Sequence, residues 1–442
     1  MKSMTSVFLI VTTLSLAIAV SAPASTLSPQ GETLVVTSAA DSGLGTLRQA
    51  LDDAQSGDTI TFDPVIFPPT APVTISITSE LPHIYQGNLT IDGSNAGVIL
   101  DGSSFPDETW IFGIGLQSNG NTVRGLQILN FPGPGIGLTS GSQHNTIGGS
   151  QAIGAAPLGQ GNLISRNRNV GISVGDSYSN TIRGNYIGTD PSGTQVWGNR
   201  YNGIYINGGS HNQVIDNLIS DNGASGVGLE GSQSSHNIIS GNYIGTDASK
   251  KNPLGNHGGG IGIRQGASYN TIGPDNVVAY NDWSGIEAYG PDSLGNTITQ
   301  NTIHDNGWPG IDLWGGGNME LASPIMFGFN VSTGSVTGLA HPNSTVEVFS
   351  TGSDEGEIYE GQTTADDAGT FTFNKGSSFA GPHLTATATD ADGNTSEFSL
   401  PTVGTSRSLI LQQDNSLPKT RLTSRQSGDL DDNRIASHWQ GL

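Results

Sequence analysis

The sequence contains no cysteine among its 442 residues. No disulfide therefore braces the fold, and no thiol serves as a nucleophile, a zinc ligand or a lipid attachment point. A chain of this length without covalent staples must be held together by a large apolar core.

Positive charge is scarce. The chain has 16 Lys and Arg against 38 Asp and Glu, which gives a net charge of −22. A surface of this sign repels nucleic acid and anionic lipid and favours bound cations. The sequence also lacks a phosphate-binding loop with lysine and the His-Glu-x-x-His pattern of metalloproteases. We therefore expect no nucleic-acid partner.

Long apolar runs are rare as well. The one clear run, VFLIVTTLSLAIAV, follows Lys2 and precedes the small residues Ala22 and Ala24. This order of basic, apolar and small residues predicts an export signal at residues 1–24. No second run is long enough to span a membrane. We expect a secreted or cell-surface protein without membrane insertion.

Glycine is abundant, with 64 residues, and it marks a repeat. The motif Gly-Ile/Val-x-aliphatic recurs, and most copies precede two short strands marked by Asn, as in NQVIDNLI from Asn212. A unit of about 25 residues cannot bury its apolar side alone, whereas stacked units form a continuous core. The copies begin at Gly135, Gly171, Gly203, Gly226, Gly260, Gly285 and Gly310.

This repeat predicts an all-β fold, a right-handed parallel β-helix. Alternation within each strand directs Ile, Val and Leu inward, and Asn at the turns is suited to stacking coil over coil. Three insertions lengthen the repeat, and we expect each to leave its coil as a β-hairpin. They are GGSQAIGAAPLGQGN ending at Asn162, GNYIGTDPSGTQVWGN from Gly184 and GNYIGTDASKKNPLGN from Gly241.

The two ends of the repeat have other patterns. The N-terminal segment predicts a strand, a short helix and a strand that cap the β-helix. The C-terminal segment alternates with period two between Asp-Gly and Gly-rich turns, which predicts a small Ig-like β-sandwich. The expected organisation is an export signal at 1–24, a cap with the first coils at 33–110, the β-helix at 111–321, the Ig-like β-sandwich at 322–401 and a disordered tail at 402–442.

Three parts of the sequence resemble a known protein family. VTSAADSGLGTLRQALDDAQSGDTITF resembles the N-terminal cap of bacterial secreted right-handed β-helix repeat proteins with CSLREA-like motifs, and GNYIGTD with NTI repeats is typical of the same group. PNSTVEVFS with LTATATDADGNTSEFS resembles the Ig-like module often fused behind it. The resemblance covers residues 33–401 and implies this architecture. It implies no single activity, because the pectin-lyase-like superfamily includes lyases, hydrolases, epimerases and adhesins.

Outward-facing residues of the Gly-Ile strands form two columns, with equivalent positions about 4.8 Å apart. Charged and aromatic residues crowd the last four coils. Candidate catalytic residues are Glu287, Asp312, Glu230 and Arg264. Candidate substrate-binding residues are Tyr205, Tyr289, Trp283, Trp308, Trp314 and His257.

This set of residue types suits a polysaccharide, since aromatic faces stack on sugar rings and charged groups bind hydroxyls or acidic groups. Glu287 and Asp312 are expected about 5 Å apart, the spacing of a retaining glycosidase pair. Glu230 is expected about 10 Å from Glu287, near the upper limit for an inverting pair. A lyase would instead need a cation on the carboxylates and a base such as Arg264, His257 or His304.

Simpler interpretations remain open for each residue type. The acids fit solvated charges, Arg264 fits an ion-pair partner of Glu230 or Glu287, and the tryptophans fit a cover for the coil turns or a dock for the sandwich. The histidines fit turn residues that hydrogen-bond the backbone. Asp390 and Asp392 resemble a calcium loop, so Ca²⁺ is the one candidate cofactor, but an Asp-Gly hairpin turn is the preferred interpretation.

We therefore interpret the chain as an extracellular or cell-surface β-helix protein whose partner is a polysaccharide. Cleavage of that polysaccharide, by a glycoside hydrolase or a polysaccharide lyase mechanism, is left open. The alternative is a non-catalytic adhesin or surface scaffold. The sequence leaves the glycan and the oligomeric state open.

Overall fold

The computed structural model describes residues 31–353 and 355–402, which form three long parallel sheets and two small antiparallel ones. The expected export signal at 1–24 lies outside the described residues, and so does the expected tail at 402–442 apart from Thr402. Thr402 is buried, and its N–H donates to Leu384 O at 2.9 Å. Among the described residues, a short α-helix and a 3-10 turn accompany the strands. The predicted all-β fold class is confirmed.

The three parallel sheets, named A, B and C here, contain ten, nine and eight strands. Sheet A comprises Thr33–Val36, Thr59–Phe62, Thr90–Asp92, Thr122–Arg124, Thr146–Gly148, Thr181–Arg183, Gln213–Ile215, Ile238–Ser240, Thr271–Ile272 and Thr297–Ile298. Sheet B comprises Val73–Ser76, Val98–Asp101, Leu126–Leu129, Leu163–Ser165, Tyr186–Ile187, Leu218–Ile219, Tyr243–Ile244, Val277–Ala279 and Thr302–His304. Sheet C comprises Ile114–Leu116, Ile136–Leu138, Ile172–Gly175, Ile204–Asn207, Val227–Glu230, Ile261–Arg264, Ile286–Tyr289 and Ile311–Trp314.

A single coil of the β-helix passes through the sheets in the order C, A, B. Strand Ile172–Gly175 of sheet C leads to Thr181–Arg183 of sheet A and Tyr186–Ile187 of sheet B. The chain then returns to sheet C at Ile204–Asn207, which pairs in parallel with the strand from the previous coil. Because neighbouring strands come from successive coils, equivalent residues of the repeat lie side by side.

The core is built from the inward positions of these strands. Ile182, Val214 and Ile239 align in three adjacent coils of sheet A, and none has exposed surface. Strand residues alternate between the two faces of a sheet, so an aliphatic residue in every second position suffices to fill the interior. Burial of such side chains stabilises the fold by about 1.5–3 kcal/mol each.

Three ladders of buried asparagine connect the coils at the turns, and Asn217 shows the geometry. Its Oδ1 accepts the backbone N–H of Asn185 at 3.0 Å and the Asn185 side-chain amide at 2.9 Å. Its own Nδ2 donates to Asn242 Oδ1 and to the carbonyl of Ile182. Each amide thus satisfies polar groups of the turn that would otherwise be buried without partners. The ladders run through Asn121, Asn145, Asn180, Asn212, Asn237, Asn270, Asn296 and Asn318, through Asn162, Asn185, Asn217, Asn242, Asn276 and Asn301, and through Asn167, Asn199, Asn222, Asn256, Asn281 and Asn306.

Two of the three expected hairpins are present. Antiparallel bridges join Thr189 to Val196 and Thr246 to Pro253. Asp247 closes the second turn by accepting hydrogen bonds from Ser249 and Asn252. Burial opposes ionisation of Asp247, but these bonds outweigh it and lower its pKa to about 2.

The prediction of a hairpin in the first insertion is wrong. Residues 149–160 form turns, and the described segment contains no strand pair. Ala156 N–H instead donates to Ser94 O at 2.8 Å, so this insertion packs against an earlier coil.

The N-terminal end has the expected strand, helix and strand. The helix Leu47–Asp53 begins after Thr46, whose hydroxyl accepts from the backbone N–H of Gln49. This is a regular N-cap hydrogen bond. Leu47, Leu51 and Ala54 of the expected apolar stripe are buried against the end of the helical core, and Ala50 is partly buried against it.

After a 3-10 turn at Gly317–Glu320, the C-terminal strands form two small antiparallel sheets. Buried Val336, Val348, Phe373 and Leu384 pack between them. The first sheet comprises Ile325–Asn330, Ser335–Leu339 and Thr370–Asn374, and the second comprises Thr345–Thr351, Ile358–Thr364 and His383–Thr389.

This C-terminal unit closes the exposed end of the last coil with side-chain acceptors. Glu347 accepts the N–H of Gln300 at 3.0 Å, and Glu397 accepts the N–H of Leu313 at 2.9 Å. A strand at the end of a sheet otherwise leaves such donors unpaired. The acids therefore supply to the last coil what a further coil supplies elsewhere.

Candidate functional site

The predicted columns of sheet C have the expected register. Glu287 pairs with Asp312, and Tyr289 pairs with Trp314, in the last two coils. Glu230 pairs with Arg264 two coils earlier. Strand pairing therefore brings the candidate catalytic residues onto one face of one sheet.

The acid pair is buried, which corrects the interpretation of these residues as solvated charges. Glu287 is 6% exposed and Asp312 is 4% exposed. Glu287 Oε1 accepts from Nε of Arg264 at 2.9 Å, and Asp312 Oδ2 accepts from the hydroxyl of Ser284 at 3.1 Å. Buried carboxylates require such partners, because an unpaired charge is costly away from water.

Glu230 belongs to a neighbouring hydrogen-bonded group. Its Oε2 accepts from the Tyr205 hydroxyl at 2.7 Å and from the side-chain amide of Gln265 at 3.3 Å. Tyr205 is itself buried, with its ring beside Gly228. Tyr205 is therefore in position to orient Glu230, and its ring offers little free surface.

Two aromatic pairs flank the acids along the chain. Trp283 stacks on Trp308 with ring centres 5.9 Å apart and an angle of 17°. Tyr289 packs on Trp314 with centres 3.9 Å apart. In both coils an aromatic residue precedes the acid by four positions and another follows it by two, so the acids lie between the pairs in chain order. Trp308 is 48% exposed and Tyr289 is 38% exposed, which leaves ring surface accessible.

The candidate histidines have separate surroundings. His257 is exposed, and its Nδ1 lies 3.1 Å from Asp282 Oδ2 and its Nε2 3.7 Å from Asp221 Oδ1. Burial raises the pKa of Asp221, although the Gly198 N–H and His257 oppose that change. His304 stands in sheet B beside Asp305 and is not on the sheet C face, so its use there as a base is wrong.

The Asp390 segment is an Asp-Gly turn. Asp390 Oδ1 accepts from the backbone N–H groups of Asp392 and Asn394, and Oδ2 accepts from the Asn394 side chain. Both carboxylate oxygens thus serve the turn. Across the described residues no group of three His, Cys, Asp or Glu side chains is arranged to hold a metal ion.

Sequence reasoning missed Ser284 and Gln265, which hold Asp312 and Glu230. Ser284 lies directly before a Gly-Ile motif and Gln265 directly after the outward column, both at turns where small or polar residues are ordinary. The only available signal was their position beside the columns. Their contacts depend on neighbouring coils and not on local sequence.

Comparison with known proteins supports the architecture. Residues 158–324 match the family model described as right handed beta helix region, and residues 327–403 match the model described as bacterial Ig domain. The chain is therefore a right-handed parallel β-helix protein that carries a C-terminal bacterial Ig domain. A search of curated proteins finds no match for it.

Solved structures that are similar to the chain share little of its sequence. Pectate lyase Pel9A is 16% identical with a TM-score of 0.40, and the alignment covers 62% of this chain and 71% of that chain. The A-module of mannuronan C-5 epimerase AlgE6 from Azotobacter vinelandii is 15% identical with a TM-score of 0.44, covering 62% and 70%. The Dettilon tailspike protein is 14% identical with a TM-score of 0.32, covering 77% and 85%.

Among the described residues, no helix has the length and apolar character needed to cross a membrane.

Proposed function

We propose that the protein binds a polysaccharide on the outer face of sheet C, across its last coils. The observation that carries this proposal is the repeated order of aromatic, acid and aromatic residues in two adjacent coils. Trp283, Glu287 and Tyr289 in one coil correspond in register to Trp308, Asp312 and Trp314 in the next. Adjacent coils thus present the same chemical groups twice, which suits a polymer of repeating sugar units.

The aromatic rings and the charged side chains of this surface are both complementary to sugars. Partly exposed aromatic rings pack against the apolar C–H face of a pyranose, and their rigid side chains lose little conformational entropy on binding. Carboxylates and a guanidinium supply charge-assisted hydrogen bonds at the edge of the ring. Trp308 and Tyr289 offer the exposed ring surface, and Arg264, whose side chain is 18% exposed, offers the polar edge.

Burial of the acids favours recognition over cleavage. Glu287 and Asp312 are 6% and 4% exposed, and their oxygens accept hydrogen bonds from Arg264 and Ser284. A catalytic carboxyl must come within hydrogen-bond reach of the atom with which it exchanges a proton. Glycoside hydrolysis remains a second candidate because Glu287 and Asp312 are partners in adjacent strands, at about the separation of a retaining pair.

The bacterial Ig domain supports an extracellular or cell-surface location for this activity. Cell fractionation with an antibody to the full chain tests that location. Detection in the cytoplasmic fraction alone would contradict it.

A glycan array and a turnover screen of the protein test the binding surface. We expect Trp308→Ala and Trp314→Ala each to weaken binding about tenfold or more, because aromatic anchors dominate such contacts. Tyr85→Ala is the matched control, since Tyr85 is an exposed ring far along the chain from these coils. Absence of binding to every glycan, or equal loss in the Tyr85 variant, would contradict the proposal.

The same screen separates binding from hydrolysis. If oligosaccharides are released, and release is abolished by Glu287→Gln and by Asp312→Asn, the acid pair is catalytic. Binding without release, retained in both carboxylate variants, identifies a recognition surface.

A further inference from the structure

A cavity of about 320 Å³ lies at the corner between sheets A and B. Arg183 from sheet A and Tyr186, Leu218 and Tyr243 from sheet B line it, together with Lys250 from the second hairpin. None of its lining residues belongs to sheet C. The cavity is therefore distinct from the surface proposed above.

The duplicated insertion explains why a cavity forms here. Tyr186 and Tyr243 occupy the same position in the two copies of GNYIGTD, and each copy continues into a hairpin. The coil between them contributes Leu218 and proceeds without a hairpin. The two hairpins meet over this coil, where Ala248 N–H donates to Gly193 O at 2.9 Å. The middle coil thus leaves a space that its neighbours bridge.

One wall of the cavity is an aromatic and aliphatic platform. Tyr186 pairs with Leu218, and Leu218 pairs with Tyr243, in three adjacent parallel strands. Strand spacing places the two tyrosines about 10 Å apart, with the leucine between them. A platform of this length accommodates a single sugar ring against its apolar face.

Two cationic side chains also line the cavity. Lys250 Nζ lies 3.9 Å from the centre of the Tyr243 ring and hydrogen-bonds the Tyr243 hydroxyl. Arg183 Nη2 is 3.9 Å from Asp216 Oδ2, beyond hydrogen-bond distance, and the two side chains are 48% and 59% exposed. The guanidinium therefore has donors available in a chain that has only 16 basic residues. Asp216 lines the same cavity and supplies an acceptor for hydroxyl groups.

We propose that this cavity binds one acidic sugar unit. The ring packs on the platform of Tyr186, Leu218 and Tyr243, the carboxylate meets Arg183 and Lys250, and a hydroxyl donates to Asp216. A neutral sugar brings no carboxylate to Arg183 and Lys250, and a small carboxylate leaves the platform uncovered. The assignment does not depend on the function proposed for sheet C.

Three probes test the proposal on the full chain by NMR titration. Methyl β-D-glucuronide and methyl β-D-glucoside differ only at C6, which is a carboxylate in the first and a hydroxymethyl group in the second, and acetate supplies the carboxylate without a ring. We expect the glucuronide to bind at least tenfold more tightly than either of the others. Equal affinity for the glucuronide and the glucoside, equal affinity for the glucuronide and acetate, or no binding by the glucuronide would overturn the proposal.

Two lysine variants locate the binding. Lys250→Gln is expected to weaken glucuronide binding at least fivefold, whereas Lys251→Gln, which changes the adjacent exposed lysine outside the cavity lining, is expected to leave it unchanged. Equal effects of the two variants would show general charge attraction. A loss seen with Trp308→Ala but not with Lys250→Gln would place the sugar on sheet C. Either result rules out the cavity assignment.

Discussion

Arg264 reaches diagonally to Glu287 in the next coil, with 2.9 Å between its Nε and Oε1 of the acid. The residue directly beside Glu287 in the pairing is Gly262. A Cβ at Gly262 would lie 3.8 Å from Nε, in ordinary van der Waals contact, so the guanidinium lies over a position without a bulky side chain. A small residue in the outward column thus leaves space for this ion pair in sheet C.

Removal of Arg264 is expected to destabilise the β-helix. Arg264→Gln leaves the carboxylate of Glu287 buried without this cation, and breaking a buried pair on one side costs about 3–5 kcal/mol. Urea unfolding of the variant measures the change in free energy. The matched control is Arg183→Gln, because the more exposed contact of Arg183 with Asp216 is worth about 0–1 kcal/mol.

The double variant Arg264→Met with Glu287→Leu sharpens that prediction. It removes both charges, so we expect it to recover most of the stability lost in Arg264→Gln. If the double variant is as unstable as the single variant, packing and not charge pairing is the role of these side chains.

The asparagine ladders are expected to be highly sensitive to truncation. Asn217→Ala removes the acceptor for two donors of Asn185 at a fully buried site. Each unsatisfied buried group costs about 1–3 kcal/mol, so the loss in unfolding free energy is expected to reach about 3 kcal/mol. Gln213→Ala, which removes an exposed amide from the same coil, serves as the control and is expected to change stability by less than about 0.5 kcal/mol.

The junction at the last coil is expected to respond to pH through Glu347. Burial raises the pKa of Glu347 above its ordinary value of 4.5, although hydrogen bonds from Thr299 and Gln300 oppose that rise. A raised pKa means that the folded state holds the proton more tightly than the unfolded state. The resulting stabilisation is present below pH 4.5 and is lost as pH rises through the folded-state pKa.

The Glu347→Gln variant tests this predicted direction of the pH dependence of stability. The amide keeps an acceptor for the Gln300 N–H and carries no charge, so the Tm of the variant relative to the unaltered protein should increase between pH 4 and pH 8. Glu357→Gln, at an exposed position of the same unit, is the control and should show no such trend. A relative Tm that falls with pH would contradict the prediction.

Close packing at the tip of the first hairpin is tested by Gly193→Ala. A Cβ there would lie 2.6 Å from Ala248 Cβ and 2.9 Å from Leu218 Cδ2, and the backbone φ is +69°. Gly141 has a similar φ of +72° but open space around it, so Gly141→Ala reports the backbone strain alone, about 1 kcal/mol. We expect hydrogen exchange in residues 189–196 to accelerate at least tenfold in the Gly193 variant only. Equal exchange rates in the two variants would show that the hairpin contact contributes nothing.

Much of the fold follows from the sequence alone. Repeated Gly-Ile motifs and Asn-marked strands determine a stack of coils, because no single unit has enough apolar surface to be stable by itself. The register of sheet C, including the pairing of Glu287 with Asp312, follows from aligning the repeats. A solenoid places equivalent positions side by side, so periodicity in sequence becomes proximity in space.

The tertiary structure decided which outward side chains are buried, where the insertions pack and where a cavity forms, and the sequence repeat leaves these features open. Glu287 and Asp312 are buried and hydrogen-bonded to Arg264 and Ser284, and side-chain packing of this kind has no periodic signature. The first insertion leaves its coil between sheets A and B, whereas both hairpins leave theirs between sheets B and C, and it packs against Ser94. The cavity beside Lys250 likewise arises between coils, from two hairpins that close over a third coil that has none. Sequence thus determined which residues align, and the packing of outward side chains determined which of them are accessible for function.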